Sequence, residues 1–240
     1  MEDCWWLDSE LKIRDSQQSY LRLSEAIDRL PEKTKHYKFR GQKRSGYKTR
    51  HYGVWAAYMK EPKLTAEHRA DDSKAKAFMT DVEGVFHEMS ALLGGLVPGV
   101  FKDFQLYPLP AAAQRGCGAW ATCVINNGGN NPNQTEIHRD VRESQYGYSC
   151  IVSCGDYTGG DLMLYELGCS IELVPGDILL FPDSLIHHSN KPAEGIRKSV
   201  VAFTQENVND YWHRRYGMNL KRHRKKEKMK RKQKDVRERS

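Results

Sequence analysis

The sequence has no run of about 18 apolar residues, the length that a helix needs to cross a bilayer, so no membrane span is expected. Its first residues lack a basic segment followed by an apolar one, and we therefore expect no secretory signal. Cysteines are few and scattered, without a Cys-x-x-Cys pair. This distribution predicts reduced, mostly buried thiols of an intracellular protein rather than disulfides or a zinc site. The six residues are Cys4, Cys117, Cys123, Cys150, Cys154 and Cys169.

Most of the chain also lacks a strong net charge, although the whole sequence carries +7. Residues 221–240 hold 12 Lys and Arg against 3 Asp and Glu, whereas the other 220 residues hold 26 against 28. Residues 33–50, which predict a loop or irregular hairpin, contain 8 Lys and Arg, three aromatic residues and no acidic residue. Such basic segments are typical of nucleic-acid contact or nuclear targeting, and a merely solubilising tail is the alternative for residues 221–240.

A length of 240 residues fits one domain with a substantial core. We predict a single domain over residues 1–220, with a helical and basic part at 1–117 and a strand-rich core at 118–220, followed by the basic tail at 221–240. The fold class expected is α+β, with a β-sandwich or barrel and supporting N-terminal helices. Short apolar runs between turn signals predict strands at 52–58, 119–126, 149–153, 162–167, 170–174, 178–181, 185–189 and 198–204.

Two amphipathic helices are predicted in the N-terminal part. Apolar residues between positions 7 and 30 partly follow the helical period, and Pro31 would end that helix. Residues 65–93 carry one apolar stripe, which Gly94 and Gly95 would end. A glycine- and asparagine-rich segment at 127–133 predicts a loop in the strand-rich part, and residues 155–160, which contain three glycines, predict a turn.

Residues with the chemistry of a metal site stand in the strand-rich part. His138 and Asp140 are two positions apart, so both face the same side of a strand. His187 and His188 follow, and because neighbours on a strand face opposite ways, only one of them can join the first two. Two imidazoles and one carboxylate form the ligand set that leaves half of the Fe(II) coordination sphere open for cosubstrate and dioxygen. The pattern predicts an iron-dependent oxygenase.

An arginine, Arg197, stands nine residues after His188. A guanidinium meets a carboxylate with two parallel hydrogen bonds and keeps its proton, so Arg197 suits the far carboxylate of 2-oxoglutarate. Ser199 faces the same side of the strand and would donate a second hydrogen bond. We therefore expect Fe(II) as cofactor and 2-oxoglutarate as cosubstrate, and an exposed strand pair is the alternative for these two residues.

Short motifs surround these residues. They are Ile125-Asn126-Asn127-Gly128, His138-Arg139-Asp140, Gly159-Gly160-Asp161-Leu162, Pro175-Gly176-Asp177-Ile178-Leu179-Leu180-Phe181, His188-Ser189-Asn190-Lys191-Pro192, Arg197-Lys198-Ser199 and Phe203-Thr204-Gln205. From residue 126 to about residue 216, the sequence resembles the double-stranded β-helix core of Fe(II)/2-oxoglutarate dioxygenases. More narrowly, it resembles the fungal branch of the TET/JBP group, which oxidises methylated bases in DNA.

The resemblance implies a jelly-roll, cupin-like core and favours His188, the histidine followed by Ser-Asn, over His187 as the third iron ligand. It also implies 5-methylcytosine in DNA as the substrate, oxidised to 5-hydroxymethylcytosine, with further oxidation left open. A methyl group on a duplex base cannot reach a buried iron, so the nucleotide must be flipped out of the duplex.

Three further residues are candidates for contact with that base. Phe203, on the same strand face as Arg197, would stack on it, and core packing is the alternative. Glu143 and Gln205 match positions at which the family contacts the base, and an ordinary solvated side chain is the alternative for each. Glu143 is one methylene longer than the family's Asn or Asp, so an adenine amine would fit as well.

We expect methylated DNA as the partner, a nuclear location, no membrane association and a monomer. The alternatives are the same chemistry on N6-methyladenine, an RNA base or a protein side chain such as proline. A non-catalytic DNA-binding module on a degenerate barrel is an alternative of another class.

Overall fold

The computed structural model describes residues 5–7, 14–31, 44–45, 48–56, 61–105, 116–128 and 133–216. Within these ranges the helices are α1 Arg14–Asp28, α2 Ala66–Ala70, α3 Asp72–Asp81, α4 Glu83–Leu96, α5 Pro98–Gln105 and α6 Glu206–Tyr216. The strands are β1 Trp5–Leu7, β2 Arg44–Ser45, β3 Lys48–Trp55, β4 Lys63–Leu64, β5 Thr122–Asn127, β6 Asn133–His138, β7 Ser149–Gly159, β8 Leu162–Leu164, β9 Cys169–Ile171, β10 Ile178–Phe181 and β11 His188–Phe203.

Strand β11 organises the sheet. It pairs antiparallel with β5, β6, β7 and β8 along different parts of its length. Strand β7 continues the sheet to β10 and β1, and β5 continues it to β3. Because one strand touches so many others, residues far apart in the sequence meet along it. The predicted α+β class, with a strand-rich core and supporting helices, is confirmed.

Two hydrophobic clusters lie on opposite faces of the sheet, and β10 shows how its sequence supplies both. Ile178 and Leu180 belong to the larger cluster, which also contains the buried side chains of α1, α3 and α4. Leu179 and Phe181 belong to the smaller cluster with Leu162, Leu164, Leu173 and Ile186. Successive side chains of a strand point to opposite faces, so an unbroken apolar run of four residues can fill two cores.

Strand β11 alternates in the same way at Arg197, Lys198 and Ser199. Arg197 and Ser199 line a cavity, whereas Lys198 faces helix α1 on the other side of the sheet. The buried Lys198 Nζ donates to Ser24 Oγ at 2.9 Å and to Asp28 Oδ2 at 2.6 Å. These bonds attach α1 to the central strand.

We predict that Lys198→Met will lower the free energy of unfolding by about 2 kcal/mol, because it removes charge-assisted hydrogen bonds while keeping the side-chain volume. The Asp28 side chain is 59% exposed, so its carboxylate regains water and the loss stays moderate. Urea unfolding of both proteins measures the difference. Lys102→Met, at an exposed position of α5, is the control and should change stability by no more than about 0.5 kcal/mol. Equal values for the two variants would contradict the prediction.

The turn predicted over residues 155–160 is confined to their end, because β7 continues to Gly159. Gly155 pairs with Arg197 across the ladder at φ +107°, and a Cβ atom there would lie 2.1 Å from the Ile196 carbonyl oxygen. Glycine at this position lets β7 approach β11 closely instead of ending the strand. The chain turns only at Gly159 and Gly160, both at positive φ.

The long helix predicted at residues 65–93 is divided into α2, α3 and α4. Asp71 and Val82 separate them, with φ of −130° and −111° in place of helical values. Helix α4 passes through Gly94 and Gly95 to Leu96, so the predicted glycine stop is wrong. Gly94 lies against the Phe101 ring of α5, so packing between the helices extends α4. The predicted stripe is largely buried, at Phe78, Val82, Val85, Phe86, Met89 and Leu93.

Other boundaries differ by shorter lengths. Helix α1 spans 14–28 rather than 7–30, and the strand predicted at 52–58 overlaps β3 only at 52–55, because β3 begins at Lys48 and ends at Trp55. The end of the basic stretch is therefore part of the sheet, and its Arg50 binds the Asp71 carboxylate at 3.3 Å and the Pro31 carbonyl oxygen at 2.6 Å. Residues 32–43 and the tail 221–240 lie outside the described residues.

Two expectations from the opening composition can be compared with the described residues. Cys117, Cys123, Cys150 and Cys154 are free and buried, as predicted, and Cys169 is free and half-buried. Burial raises the pKa of the Cys154 thiol to about 12, which keeps it protonated and unreactive. No helix in the described part of the chain is long and apolar enough to span a bilayer.

Candidate metal centre and cosubstrate pocket

The register between β6 and β11 brings two predicted ligands face to face. His138 and His188 are directly paired across the strands, and their ring centroids lie 4.3 Å apart. Asp140 follows the end of β6, and its Oδ2 lies 3.8 Å from His188 Nε2. The three side chains offer ligand atoms that all lie within 4.8 Å of one another, so they can hold one metal ion.

The backbone orients both imidazoles for metal binding. The Nδ1 atom of His138 lies 2.7 Å from the Glu136 carbonyl oxygen, and that of His188 lies 3.0 Å from the Ile186 carbonyl oxygen. A carbonyl oxygen can only accept, so each Nδ1 carries the proton and each Nε2 presents a lone pair. His138 Nε2 is buried and has no hydrogen-bond partner among the described residues, a cost that a metal ion would remove. This set of neutral imidazoles and one carboxylate fits Fe(II).

The structure separates the two adjacent histidines. His188 is buried in the ligand group, whereas the His187 side chain is 45% exposed. His187 donates its backbone N–H to Glu166 Oε2 at 2.6 Å, and its ring contacts the other oxygen of the same carboxylate. Alternation along β11 therefore places His188, and not His187, in the centre.

The same cavity contains a polar end suited to a carboxylate. Arg197 is only 3% exposed and lies with Ser199 among the lining residues. Asn126 Nδ2 donates to Ser199 Oγ at 3.1 Å, so the serine hydroxyl remains a donor toward a further acceptor. The ligand group lines the other part of the cavity, and apolar wall residues complete it: Ile151, Leu162, Phe181 and Val201. A cation, an apolar wall and a metal position in one cavity fit 2-oxoglutarate, which has a carboxylate, two methylenes and a chelating oxo-acid end.

Tyr157 holds the arginine in place. Its ring lies 5.5 Å from the Arg197 guanidinium carbon, and its buried hydroxyl donates to the Leu173 carbonyl oxygen. A cation over an aromatic face is attracted by the ring, so Tyr157 favours one position of the guanidinium. A Cβ atom at Gly160 would lie 3.1 Å from Arg197 Cδ, so glycine leaves room for the side chain. Tyr157 was not predicted as a site residue, because the sequence of residues 155–160 predicts a turn.

The three predicted base-contacting residues do not line this cavity as the described residues form it. Phe203 is buried and packs edge-on against Trp55 at 6.2 Å between centroids, the core-packing alternative. Gln205 Oε1 accepts from the Ala56 N–H at 2.9 Å, and Glu143 Oε2 accepts from the Ser149 hydroxyl at 2.6 Å. Contact of these residues with a base stays a prediction.

A second acidic residue, Asp183, lies beside the metal position. It is buried and lines the cavity, and its carbonyl oxygen accepts from the Asp140 N–H at 3.1 Å. Burial and the neighbouring carboxylates raise the pKa of both Glu143 and Asp183, which share a hydrogen bond. A bound divalent cation would favour their ionised forms. No spacing rule in the sequence pointed to Asp183, because only folding brings residues 140 and 183 together.

Comparison with known proteins shows what this architecture is similar to. No family model and no curated protein matches the sequence. The structure of NgTET1 in complex with 5mC DNA is 14% identical, covers 86% of this chain and 74% of that chain, and has a TM-score of 0.65. A 2OG-Fe(II) oxygenase family protein from Burkholderia pseudomallei is 15% identical, with 84% and 83% coverage and a TM-score of 0.50. OsALKBH1 is 13% identical, with 85% and 99% coverage and a TM-score of 0.50.

At these identities the similarity establishes the fold. The antiparallel strands and flanking helices form the double-stranded β-helix found in 2OG-Fe(II) oxygenases. Within it, His138, Asp140 and His188 occupy one site with the donor set for Fe(II), and Arg197 and Ser199 share its cavity. The chain therefore has the fold of the Fe(II)/2-oxoglutarate oxygenases, together with residues that fit both the metal and the cosubstrate.

Proposed function

We propose that this protein is an Fe(II)- and 2-oxoglutarate-dependent oxygenase that oxidises 5-methylcytosine in DNA to 5-hydroxymethylcytosine. The observation that carries the proposal is one cavity lined both by the His138, Asp140 and His188 group and by the buried Arg197. The nucleic-acid substrate is supported by the similarity to NgTET1, whose structure contains 5mC DNA. The basic segments of the sequence, residues 33–50 and 221–240, support it independently.

When bound, Fe(II) and 2-oxoglutarate supply the oxidation of a substrate C–H bond by dioxygen, with one oxygen atom leaving in succinate, one in the hydroxylated product, and carbon released as CO2. His138 and His188 contribute neutral nitrogen donors, and the Asp140 carboxylate offsets one of the two positive charges of the ion. Arg197 would hold the far carboxylate of the cosubstrate, which a guanidinium can meet with two hydrogen bonds, and Ser199 would add a donor. These residues would position the iron and the cosubstrate, and the reactive chemistry belongs to the cofactor.

The protein also excludes water from the reaction. Both imidazole ligands are less than a tenth exposed, and the wall beside them is apolar. Of the three ligand side chains, Asp140 is the most exposed, at 30%. A methyl group within a base stack cannot reach ligands buried to this extent, so the target nucleotide must leave the duplex.

The deciding experiment is mass spectrometry of nucleosides after incubation of the protein with iron, 2-oxoglutarate and duplexes that carry one modified base. We expect 5-hydroxymethylcytosine from the 5-methylcytosine duplex and none from the His138→Ala variant. Parallel reactions with N6-methyladenine DNA, methylated RNA and a proline-containing peptide test the same chemistry on other substrates. Product from one of these and none from 5-methylcytosine DNA would overturn the substrate assignment. Tight duplex binding without 2-oxoglutarate consumption would indicate a non-catalytic module.

The basic tail gives a separate prediction. Deleting residues 221–240 removes 12 cationic residues and should weaken DNA affinity, because cations that neutralise phosphates release bound counterions. Fluorescence anisotropy at several salt concentrations should show a smaller slope of log affinity against log salt for the shortened chain. Turnover on saturating DNA should persist, because the metal ligands and Arg197 lie outside the tail. Unchanged affinity and slope would instead assign the tail to targeting, including the nuclear location that its composition predicts.

A further inference from the structure

The metal ligand Asp140 begins a tight turn that exposes an aliphatic side chain. The Glu143 N–H donates to the Asp140 carbonyl oxygen at 2.9 Å, which places Val141 and Arg142 at the tip of the turn. Val141 is 61% exposed, and Arg139 and Arg142 on either side of it are exposed as well. The turn therefore presents one apolar and two cationic side chains beside the metal position.

A second turn lies directly against the first. The Leu185 N–H donates to the Pro182 carbonyl oxygen at 2.9 Å, and the Leu185 side chain is 51% exposed. The Asp140 N–H donates to the Asp183 carbonyl oxygen at 3.1 Å, and Ser184 Oγ donates to the Ser144 carbonyl oxygen at 3.1 Å. We call the segments 139–143 and 182–186 the mouth turns. Asp140 and Asp183 of these turns line the cavity, and the exposed Val141 and Leu185 follow them closely in the chain.

The chemistry of the mouth turns limits the partner that they fit. Of the acidic side chains within them, Asp183 is buried, Glu143 accepts from Ser149, and Asp140 lines the cavity with 30% of its side chain exposed. The charged residues of these turns that are classed as exposed are Arg139 and Arg142, whose guanidinium groups bind phosphate oxygens with matching geometry. Scattered exposed aliphatic residues are ordinary, but here two stand on neighbouring turns that also carry a pair of exposed cations. Anionic phosphates around an apolar stack of bases are the features of a nucleic-acid duplex.

We propose that the mouth turns grip the duplex around the extruded nucleotide. Arg139 and Arg142 bind phosphates next to the target, and Val141 and Leu185 contact the bases that the extrusion leaves unstacked. Apolar side chains that fill such a gap offset part of the stacking that is lost. This inference rests on the proposed function, since it concerns how the same site acquires its substrate.

Two double variants test the inference. R139A/R142A removes the two cations, and V141S/L185S replaces the two apolar side chains with small polar ones. The matched controls are R22A/K102A, at exposed cations of α1 and α5, and L21S, at a 67% exposed position of α1. Anisotropy over a salt series measures the affinity for a 5-methylcytosine duplex, and nucleoside mass spectrometry measures turnover on that duplex and on the single strand. Thermal unfolding shows that each variant is folded.

We expect R139A/R142A to reduce the slope of log affinity against log salt by about 1.8, the loss of two phosphate contacts, while its control reproduces the wild type. V141S/L185S should lose turnover on the duplex by at least tenfold more than on the single strand, because only the duplex has to open. Wild-type slope and duplex turnover in both variants would overturn the inference, although the proposed function would stand. Absence of product from every nucleic acid with the wild-type protein would overturn the proposed function itself.

Discussion

Replacing His138 or Asp140 by alanine will abolish 2-oxoglutarate turnover while leaving the fold largely intact. Each variant removes one of three donors that lie within 4.8 Å of one another. Loss of an outer-shell partner alone costs roughly 10- to 100-fold in metal affinity or activity, so loss of a direct ligand should cost more. Succinate formation in the presence of iron measures turnover, and iron affinity by calorimetry measures the ligand loss directly.

The adjacent histidines supply a matched pair of controls. His188→Ala should behave like the other ligand variants, whereas His187→Ala should keep turnover and iron affinity. The His187 ring contacts the exposed Glu166 carboxylate and is not among the residues that line the cavity, so its loss should leave the iron site intact. If turnover were lost in His187→Ala and kept in His188→Ala, the ligand assignment would be wrong.

Replacing Arg197 by alanine will raise the KM for 2-oxoglutarate by at least about thirtyfold, because truncating one partner of a buried charge pair costs 2 kcal/mol or more. The value of kcat at saturating cosubstrate should fall much less, since the iron ligands remain. Arg197→Lys keeps the charge without the planar pair of donors, and it should give an intermediate KM. Initial rates over a range of 2-oxoglutarate concentrations separate the two parameters.

Tyr157 provides the corresponding test of how the arginine is positioned. Tyr157→Leu removes the aromatic face beside the guanidinium, a contact worth about 2 kcal/mol when desolvated, and should raise the same KM about tenfold or more. Tyr157→Phe keeps the ring and should change the KM less, which separates positioning from general loss of packing. An unchanged KM in Arg197→Ala would mean that the far carboxylate binds elsewhere.

Much of the strand structure was predictable because its signal is local. The strand Ile178–Phe181 was predicted with the correct limits, since four apolar residues between turn signals leave little choice. The segments predicted separately at 185–189 and 198–204 overlap the two ends of the single strand β11, which begins only at His188 because residues 182–186 form a turn. The residues between the two segments are charged or polar, so the local pattern does not predict a strand there. They are in a strand because β11 pairs with several other strands along its length, and the local sequence does not specify those partners.

The predicted base-contacting residues show where spacing stops being informative. Phe203 shares a strand face with Arg197, yet it lies beyond the cavity and packs against Trp55. Glu143 does not line the cavity, although its carboxylate lies within 4.8 Å of those of Asp140 and Asp183, which do, and it bonds Ser149. The alternation of side chains along a strand predicts which face of the sheet a residue occupies. It does not predict the distance of that residue from a site, which depends on how the sheet curves.

The sequence by itself determined the chemistry of the site. The spacing of His138 and Asp140 and of Arg197 and Ser199 supplied a candidate ligand set and a candidate anion-binding pair, because side-chain direction on a strand has a period of two residues. Only the tertiary structure decided which residues meet. The register that sets His188 opposite His138, the choice between His187 and His188, and the support of Arg197 by Tyr157 all depend on contacts between distant strands. The register of two paired strands depends on which face of the sheet becomes buried. The sequence of a short segment therefore does not specify it.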